Sequence, residues 1–270
     1  WMELFGNTPL SIRSLSAIAG TITVALGMAV ARSLFNDRVA IVAGLFLALF
    51  PMSVRLSQEA RMYALEGMFL MGATLVLIHW LRKPERYRYC LIYAGCMTAA
   101  LYTHYYAILA ALAHWLYLMV LWCHPLVRAR YITAKVWWVC NTLIAVAYIP
   151  WLFSLVDLLK HYSKIKAVGS VAWLARGNFH TLPDSIWRFF TLQSPSMLPD
   201  AGYWLMPLLL VVIVGWITSL DRAACRPTML LALFTIVPML SLFCLSLFIP
   251  AYIERYVAFA ALGLPLFLAA

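Results

Sequence analysis

Long apolar runs recur from the start of this chain to its end, and they limit the folds that it can adopt. Hydrophobic residues make up 65% of the 270 positions and charged residues only 11%. A helix needs roughly 20 apolar residues to cross a bilayer, and the runs reach that length. Because backbone in lipid must satisfy its own hydrogen bonds, and the runs lack the alternation of barrel strands, we predict an all-α, polytopic transmembrane helix bundle.

About eight complete spans are predicted, followed by a truncated ninth that starts near residue 256. The complete spans cover approximately 11–32, 38–55, 62–81, 87–103, 105–122, 136–156, 203–220 and 229–250. The chain begins with Trp1 and stops inside an apolar run, so we expect a single transmembrane domain, 1–270, truncated at both ends. Prolines at 150, 207 and 238 fall inside these ranges, where transmembrane helices tolerate them.

Basic residues are concentrated in alternate loops, which sets the predicted orientation. The loops predicted to be cytoplasmic carry Arg32 and Arg38; Arg82, Lys83, Arg86 and Arg88; Arg128, Arg130 and Lys135; and Arg222 and Arg226. The positive-inside bias then places the turns near 53–61, 102–105 and 250–256, and a long loop at 157–202, on the outer side. Because the net charge of +10 is spread over these loops, we expect no nucleic-acid partner.

The outer loop at 157–202 is rich in aromatic and basic residues. Its stretch Leu182–Phe190 has the pattern of a short amphipathic helix lying on the membrane surface, with Pro183 near its start. A solvated connector is the alternative.

An acid and a base lie between two predicted spans in the segment Ser57-Gln58-Glu59-Ala60-Arg61-Met62-Tyr63. The positive-inside bias disfavours arginine on the outer face, so Arg61 points to an anionic ligand. Arg61 and Tyr63 are predicted near the start of a helix, where free backbone N–H groups also favour a phosphate. The alternative is that Arg55 and Arg61 extend to lipid headgroups.

One carboxylate, Glu59, lies in this segment, and a second, Glu66, follows it into the membrane. Glu59 either ligates a divalent metal ion or hydrogen-bonds a sugar. If the segment is helical, the spacing i, i+4, i+7 puts Glu59, Tyr63 and Glu66 on one face, with Glu66 about 10 Å deeper. A carboxylate at that depth must face protein or water, and for Glu66 we favour a structural contact with a neighbouring helix.

Two other outer turns carry polar residues that suit the same anion. The turn Tyr102-Thr103-His104-Tyr105-Tyr106 offers a histidine for phosphate, metal or proton transfer, although tyrosines also anchor membrane interfaces. The turn Ile253-Glu254-Arg255-Tyr256 repeats the pattern of a cation at a helix start. The candidate catalytic residues are Glu59 and Arg61, and the candidate substrate-binding residues are Gln58, Tyr63, His104, Tyr105, Glu254, Arg255 and Tyr256.

The sequence resembles the bacterial polyprenyl-phosphate-sugar transferases of the GT-C superfamily, which include protein O-mannosyltransferases and the lipid A aminoarabinose transferase. The segment Ser57 to Tyr63 looks like the family's S-Q-E-A-R-M-Y signature. The segments Trp1-Met2-Glu3-Leu4-Phe5-Gly6 and Ser11-Ile12-Arg13-Ser14-Leu15-Ser16 look like its W-x-x-L-F-G…R-x-x-S segment. The motifs Leu101 to Tyr106 and Arg255-Tyr256 match later landmarks in the same order.

The resemblance implies a GT-C-like membrane glycosyltransferase with its active site facing outward from the bacterial cytoplasmic membrane. Such an enzyme moves a sugar, with inversion, from a polyprenyl phosphate carrier to a lipid, glycan or protein acceptor. It implies Arg61, His104 and Arg255 for the phosphate, Glu59 and Tyr63 for sugar or metal, and an apolar groove for the prenyl tail. The family's usual base, an acid in the first outer loop, would precede Trp1.

Two other classes of protein remain open. A transporter or flippase for lipid-linked sugars also needs outer charges, but it would carry charged residues and broken helices at the membrane midplane. The predicted spans hold few such residues, and the polar groups crowd one face, which favours surface chemistry. A catalytically inactive scaffold is the third reading.

Overall fold

The computed structural model describes residues 2–6, 8–123, 131–167, 177–193, 200–221, 227–249 and 252–270. Helices form nearly all of this part of the chain, which confirms the all-α prediction. The helices are α1 Met2–Phe5, α2 Pro9–Leu34, α3 Asp37–Leu49, α4 Pro51–Gln58, α5 Tyr63–Arg82, α6 Arg88–Thr103, α7 Ile108–Cys123, α8 Lys135–Ala167, α9 Thr181–Thr191, α10 Asp200–Leu220, α11 Pro227–Phe248, α12 Ala258–Ala261 and α13 Gly263–Leu268.

Local chemistry explains where the first long helices begin. The Thr8 hydroxyl accepts a hydrogen bond from the Ser11 backbone N–H at 3.1 Å, directly before Pro9 opens α2. The Asn36 side chain caps α3 in the same way, accepting from the Val39 N–H at 3.0 Å. Pro51 then ends α3 and opens α4, because its ring prevents the preceding turn from continuing.

Helix α5 lies in the middle of the bundle. Its apolar stretch is 61% buried, whereas the corresponding stretches of α8 and α10 are only 17% buried. It packs between α2 and α6, and α12 covers the region near its first turns; elsewhere α7 packs on α11 and α6 on α8. Helices α8 and α10 therefore expose broad apolar faces, as expected of helices that contact lipid.

The predicted count of eight spans and a truncated ninth is not confirmed. In the described residues six helices are long and apolar enough to cross a membrane, or seven if α3 and α4, which meet at an angle of 56°, form one span. Helix α6, predicted as a span, has only 16 residues. The predicted ninth span is broken into a 3-10 turn, Glu254–Val257, and the short helices α12 and α13. The internal prolines at 150, 207 and 238 lie within continuous helices, as predicted.

The region predicted as the outer loop 157–202 is partly helical. Apolar character in α8 ends at Ser154, close to the predicted boundary, but the helix itself continues to Ala167. Helix α9 confirms the short helix predicted at Leu182–Phe190, and it buries Pro183, Ile186 and Phe189 on one face. Four basic residues assigned to the cytoplasmic loops, Arg128, Arg130, Arg222 and Arg226, lie outside the described residues, as does Arg176 of the outer loop.

The prediction that Glu59, Tyr63 and Glu66 share one helical face is wrong. Helix α4 ends at Gln58, Glu59 has extended backbone with φ −84° and ψ 139°, and α5 begins only at Tyr63. The break coincides with a contact from α2, whose Ser16 hydroxyl donates to the Arg61 carbonyl at 3.3 Å. The Arg61 carbonyl thus has its hydrogen bond to α2 rather than within a helix.

Candidate functional site

The break between α4 and α5 presents Glu59 to two arginines. Arg55 donates from Nε to Glu59 Oε1 at 3.0 Å, and Arg61 Nε lies 3.8 Å from Glu59 Oε2. All three side chains are partly exposed, so these ion pairs add little to stability. Their effect is geometric, because each oxygen of the carboxylate faces one guanidinium and Arg61 is held beside the first turn of α5.

Four tyrosine rings meet around the His104 imidazole at this end of the bundle, and we call these five side chains the ring cluster. His104 ends α6, and its ring centroid lies 4.9 Å from that of Tyr105 and 5.4 Å from that of Tyr106, which follow it in the turn. Tyr63 from α5 approaches the same imidazole with a centroid distance of 5.6 Å. Tyr256, from the 3-10 turn Glu254–Val257 that we call the last turn, approaches it at 5.1 Å. The cluster therefore joins three segments that are distant in sequence.

The imidazole of His104 is buried, with 6% of the residue exposed. Burial lowers its pKa to about 4, because a charged ring would lose its hydration. His104 Nδ1 accepts a hydrogen bond from the Tyr106 N–H at 3.4 Å, which assigns the ring proton to Nε2. At neutral pH, His104 is therefore a neutral donor through Nε2 rather than a cation.

The two arginines singled out from the sequence act on the same pair of tyrosines. Both Arg61 and Arg255 lie close enough to exert an electrostatic effect on the Tyr63 and Tyr256 hydroxyls. Burial raises the pKa of Tyr256, and the two arginines oppose this shift, so at neutral pH the hydroxyl keeps its proton. Two cations and two hydroxyl donors thus converge beside the N-terminus of α5, where backbone N–H groups also favour an anion.

A buried carboxyl group lies directly below the cluster. Glu66 belongs to the first turns of α5, is 1% exposed, and its Oε1 lies 3.8 Å from His104 Nδ1. This distance is too long for a hydrogen bond, and Oε1 has no hydrogen-bond partner among the described residues. Glu66 thus lies next to His104 at the end of α6, but its Oε1 makes no hydrogen bond there, so the structural contact favoured from the sequence stays a prediction.

Arg188 connects helix α9 to the last turn. Its Nε lies 2.9 Å from Asp184 Oδ2 and its Nη1 lies 3.4 Å from Glu254 Oε1. Glu254 directly precedes Arg255 and Tyr256, so this guanidinium ties the position of that turn to α9. Phe190 of α9 also packs edge-on against Phe50 at the α3–α4 break, with ring centroids 5.2 Å apart.

A divalent metal ion at Glu59 does not fit the described residues. They contain no group of three or more histidine, cysteine, aspartate or glutamate side chains arranged to hold a metal. Both Glu59 oxygens already face arginines, which would repel a cation. A metal site here would need most of its ligands from elsewhere.

The structure thus brings together most of the residues singled out from the sequence. Tyr63, His104, Tyr105 and Tyr256 share the ring cluster, with the two arginines beside it. Gln58 ends α4 with an exposed side chain, outside the ring cluster. Sequence reasoning missed two participants: Tyr106, although it lies in the motif around His104, and Arg188, for which no sequence signal existed beyond the aromatic-rich loop.

Comparison with solved structures shows a GT-C-like fold. ArnT from Cupriavidus metallidurans bound to undecaprenyl phosphate matches with a TM-score of 0.65 and 17% identity, over 99% of this chain and 47% of that chain. The apo state of the same protein matches with a TM-score of 0.66 and 18% identity over the same shares of the two chains. The Archaeoglobus fulgidus oligosaccharyltransferase, tethered to an acceptor peptide containing the NVT sequon, matches with a TM-score of 0.57 and 11% identity. The match covers 99% of this chain and 39% of that chain.

The present chain therefore spans about half the length of the ArnT chain. No curated protein matches its sequence. The sequence profile of the dolichyl-phosphate-mannose-protein mannosyltransferase family, in contrast, matches residues 1–153, which is more than half of the chain. This multi-pass membrane chain belongs to the dolichyl-phosphate-mannose-protein mannosyltransferase family of the GT-C superfamily.

Proposed function

We propose that this chain is the membrane part of a glycosyltransferase that transfers a sugar from a polyprenyl phosphate carrier. The acceptor is a lipid, glycan or protein, and the reaction takes place at the outer face of the bacterial cytoplasmic membrane. The proposal rests on family membership and on one observation, the convergence of Arg61, Arg255, Tyr63, His104 and Tyr256 at a single end of the bundle.

The convergent groups suit a phosphate that becomes a leaving group. When the sugar–phosphate bond breaks, negative charge grows on the phosphate oxygens, and fixed cations and N–H or O–H donors stabilise it. Arg61 and Arg255 supply the charge, while the tyrosine hydroxyls and the His104 Nε2–H supply neutral donors. The undecaprenyl phosphate bound by ArnT, named above, supports this choice of carrier.

A large apolar cavity starts where the ring cluster ends. It has a volume of about 720 Å³, lies between α6, α7 and α8, and is lined by Met97, Leu101, Leu112 and Leu152, with Tyr105 in its wall. Tyr105 also stacks on His104 in the ring cluster. We assign the prenyl tail to this cavity, because apolar area buried there offsets the ordering of a long hydrocarbon chain.

The described residues do not supply an obvious catalytic base. Glu59 is held between two arginines and Glu66 is buried, which suits both for positioning. We give Glu59 the task of holding Arg61 toward the phosphate. Deprotonation of the acceptor hydroxyl is therefore the step that this chain's own described residues do not perform.

Binding of polyprenyl monophosphate to the full-length protein tests the proposal. Replacing Arg255 by alanine should weaken binding by about tenfold or more, because a hydrogen bond to a charged group is worth roughly 1.5–3 kcal/mol and 1.4 kcal/mol is a factor of ten. Replacing it by lysine should restore part of the affinity, since the charge remains but the planar fork is lost.

The matched control is Arg38→Ala. Arg38 is an exposed arginine in the first turn of α3, at the opposite end of the bundle. This replacement should leave affinity for the lipid phosphate unchanged. Equal affinities for wild type, Arg255→Ala and Arg255→Lys would end the proposal that this cluster binds phosphate.

A transporter of lipid-linked sugars is the second candidate, favoured by the 56° break between α3 and α4. Broken helices line the substrate sites of many transporters. Helix α3 rises about 20 Å before the break, at 1.5 Å per residue, so the break lies beyond the middle of a 30 Å core. Movement of an intact lipid-linked sugar across vesicles without sugar transfer would favour the transporter.

A further inference from the structure

A second cavity of different chemistry lies next to the last turn. It has a volume of about 380 Å³, and all nine residues that line it have polar side chains. Among them are Asn178 and His180 before α9, Asp184 and Arg188 on α9, and Glu254. In a chain that is 65% hydrophobic, such a lining is a marked exception to the surroundings, and it contrasts with the apolar cavity between α6, α7 and α8.

The charges of this cavity argue against a second phosphate. Two carboxylates, Asp184 and Glu254, face the single guanidinium of Arg188 at 2.9 and 3.4 Å. The net charge of these three groups is −1, which repels an anion. What they offer is a dense set of hydrogen-bond acceptors, next to amide and imidazole groups that both donate and accept. This combination suits a neutral ligand with several hydroxyl groups.

The walls of the cavity are held in place. The Trp187 indole N–H donates to the Tyr203 carbonyl at 3.2 Å and so joins α9 to α10. Asn178 Oδ1 accepts from the His180 N–H and from the Thr181 hydroxyl, each at 3.0 Å, which orders the start of α9. A site whose polar groups are already oriented loses less entropy on binding.

Aromatic rings stand beside the same walls. Phe179, between two lining residues in sequence, is 74% exposed and pairs with Trp204 at a centroid distance of 5.0 Å. His180 meets Tyr203 edge-on at 5.4 Å. Exposed aromatic faces offer the flat apolar surface on which the C–H face of a sugar ring packs, while its hydroxyls turn to polar groups.

The last turn connects this cavity to the ring cluster. Glu254 lines the cavity, and Tyr256, two residues later, stacks in the cluster with Arg255 beside it. Glu254 and Arg255 are consecutive residues, whose Cα atoms are about 3.8 Å apart. A ligand that contacts Glu254 in the cavity therefore lies close to a phosphate held by Arg255.

We propose that this cavity binds a saccharide and brings its hydroxyls next to the phosphate site. The proposal rests on the proposed function, because the phosphate site gives the cavity its role. The saccharide is either the sugar on the lipid donor or a sugar of the acceptor, and the same hydroxyl chemistry serves both.

The experiment uses the full-length protein in nanodiscs with polyprenyl monophosphate, and a panel of methyl glycosides of common hexoses and pentoses as probes. Saturation-transfer NMR measures glycoside binding. At least one glycoside should bind to wild type, and Asp184→Asn should weaken its binding by about tenfold, since a lost hydrogen bond to a charged acceptor is of that size. Affinity for polyprenyl monophosphate, measured in parallel, should stay within about twofold and so report an intact fold.

Gln193→Ala is the matched control, because this exposed residue follows α9 and does not line the cavity. It should leave glycoside binding unchanged. If Asp184→Asn does not fold, Glu254→Gln, which alters the other carboxylate, should show the same loss of glycoside binding.

Competition distinguishes the two sources of the saccharide. If a polyprenyl phosphate that carries a sugar displaces the glycoside and polyprenyl phosphate without a sugar does not, the saccharide is the donor sugar. A glycoside that remains bound with both lipids identifies the acceptor sugar. Absence of glycoside binding, equal affinities in wild type and both carboxylate variants, or displacement by a serine- and threonine-containing peptide would overturn the proposal. Glycoside binding and its loss in the carboxylate variants do not depend on whether lipid phosphate binds, so these results judge the cavity separately from the proposed function.

Discussion

At the scale of single residues, His104 shows how burial changes the chemistry that a side chain performs. From the sequence it was a candidate for binding phosphate, ligating a metal or transferring a proton. In the structure four tyrosine rings surround it, and its pKa falls to about 4. A neutral imidazole donates one hydrogen bond and adds no charge, so the positive charge of the site comes from Arg61 and Arg255.

The lowered pKa of His104 predicts how stability depends on pH. An unfolded histidine binds a proton near pH 6.5, whereas this one does so only near pH 4. Between those values the unfolded state holds more protons, so the free energy of unfolding falls as the pH falls and is unaffected above about 6.5. A shift of this size corresponds to about 3 kcal/mol at pH 4.

The measurement is thermal unfolding of the full-length protein in detergent from pH 7 to pH 4, for wild type and His104→Gln. As the pH falls over this window, the unfolding temperature of wild type should fall more than that of His104→Gln. A difference that moves in favour of wild type would show instead that Glu66, 3.8 Å away, stabilises a charged His104.

At the scale of helices, the approach of α4 to α2 depends on Gly20. A Cβ added at Gly20 would lie 2.7 Å from the Ser57 Cβ, closer than side chains tolerate. Ser57 is two residues before Glu59, so this contact lies next to the end of α4 and to the arginines of the site. The prediction is that Gly20→Ala destabilises the protein, because overpacking costs about 1–3 kcal/mol while better helix propensity returns about 1 kcal/mol.

Gly95→Ala is the matched control for Gly20→Ala. Gly95 lies inside α6, and a Cβ there meets no atom within 4 Å. Its replacement should be neutral or raise stability by about 0.5–1 kcal/mol. We expect Gly20→Ala also to weaken binding of polyprenyl monophosphate, since α4 must move; unchanged binding and stability would show that α4 does not set the position of Arg61.

The same helices show what sequence reasoning reached and where it stopped. Apolar length predicted the long helices, because it is a local property of the sequence. The caps at Thr8 and Asn36 are local as well, but only the structure showed them. The sequence predicted a turn near 53–61, whereas in the structure α4 continues to Gln58 and the chain turns only at 59–62, beside the contact of Ser16 with the Arg61 carbonyl. The ring cluster combined motifs already noted in the sequence, but the burial that makes His104 neutral depends on rings from distant segments.

At the scale of the whole molecule, the candidate site and the basic loop between α5 and α6 lie at opposite ends of the bundle. The starts of α2 and α5, the turn at His104 and the turn at Glu254 meet at one end. The loop between α5 and α6, with Arg82, Lys83, Arg86 and Arg88, lies at the other, where Arg82 also bonds the Ser33 carbonyl at the end of α2. A bilayer across this bundle therefore has a basic side and a side that carries the candidate site.

The positive-inside bias predicts which side is which: the α5–α6 loop faces the cytoplasm and α9 faces outward. Single cysteines at Arg86 and Gln193, in full-length protein whose native cysteines, including the six of this chain, are replaced, test this with a membrane-impermeant thiol reagent. In intact cells Gln193→Cys should be labelled and Arg86→Cys protected, because the reagent does not cross the bilayer. Opening the cells should make Arg86→Cys reactive, which is the control for its exposure. Labelling of both positions in intact cells would contradict the predicted topology, and labelling of Arg86→Cys alone would place the ring cluster on the cytoplasmic side.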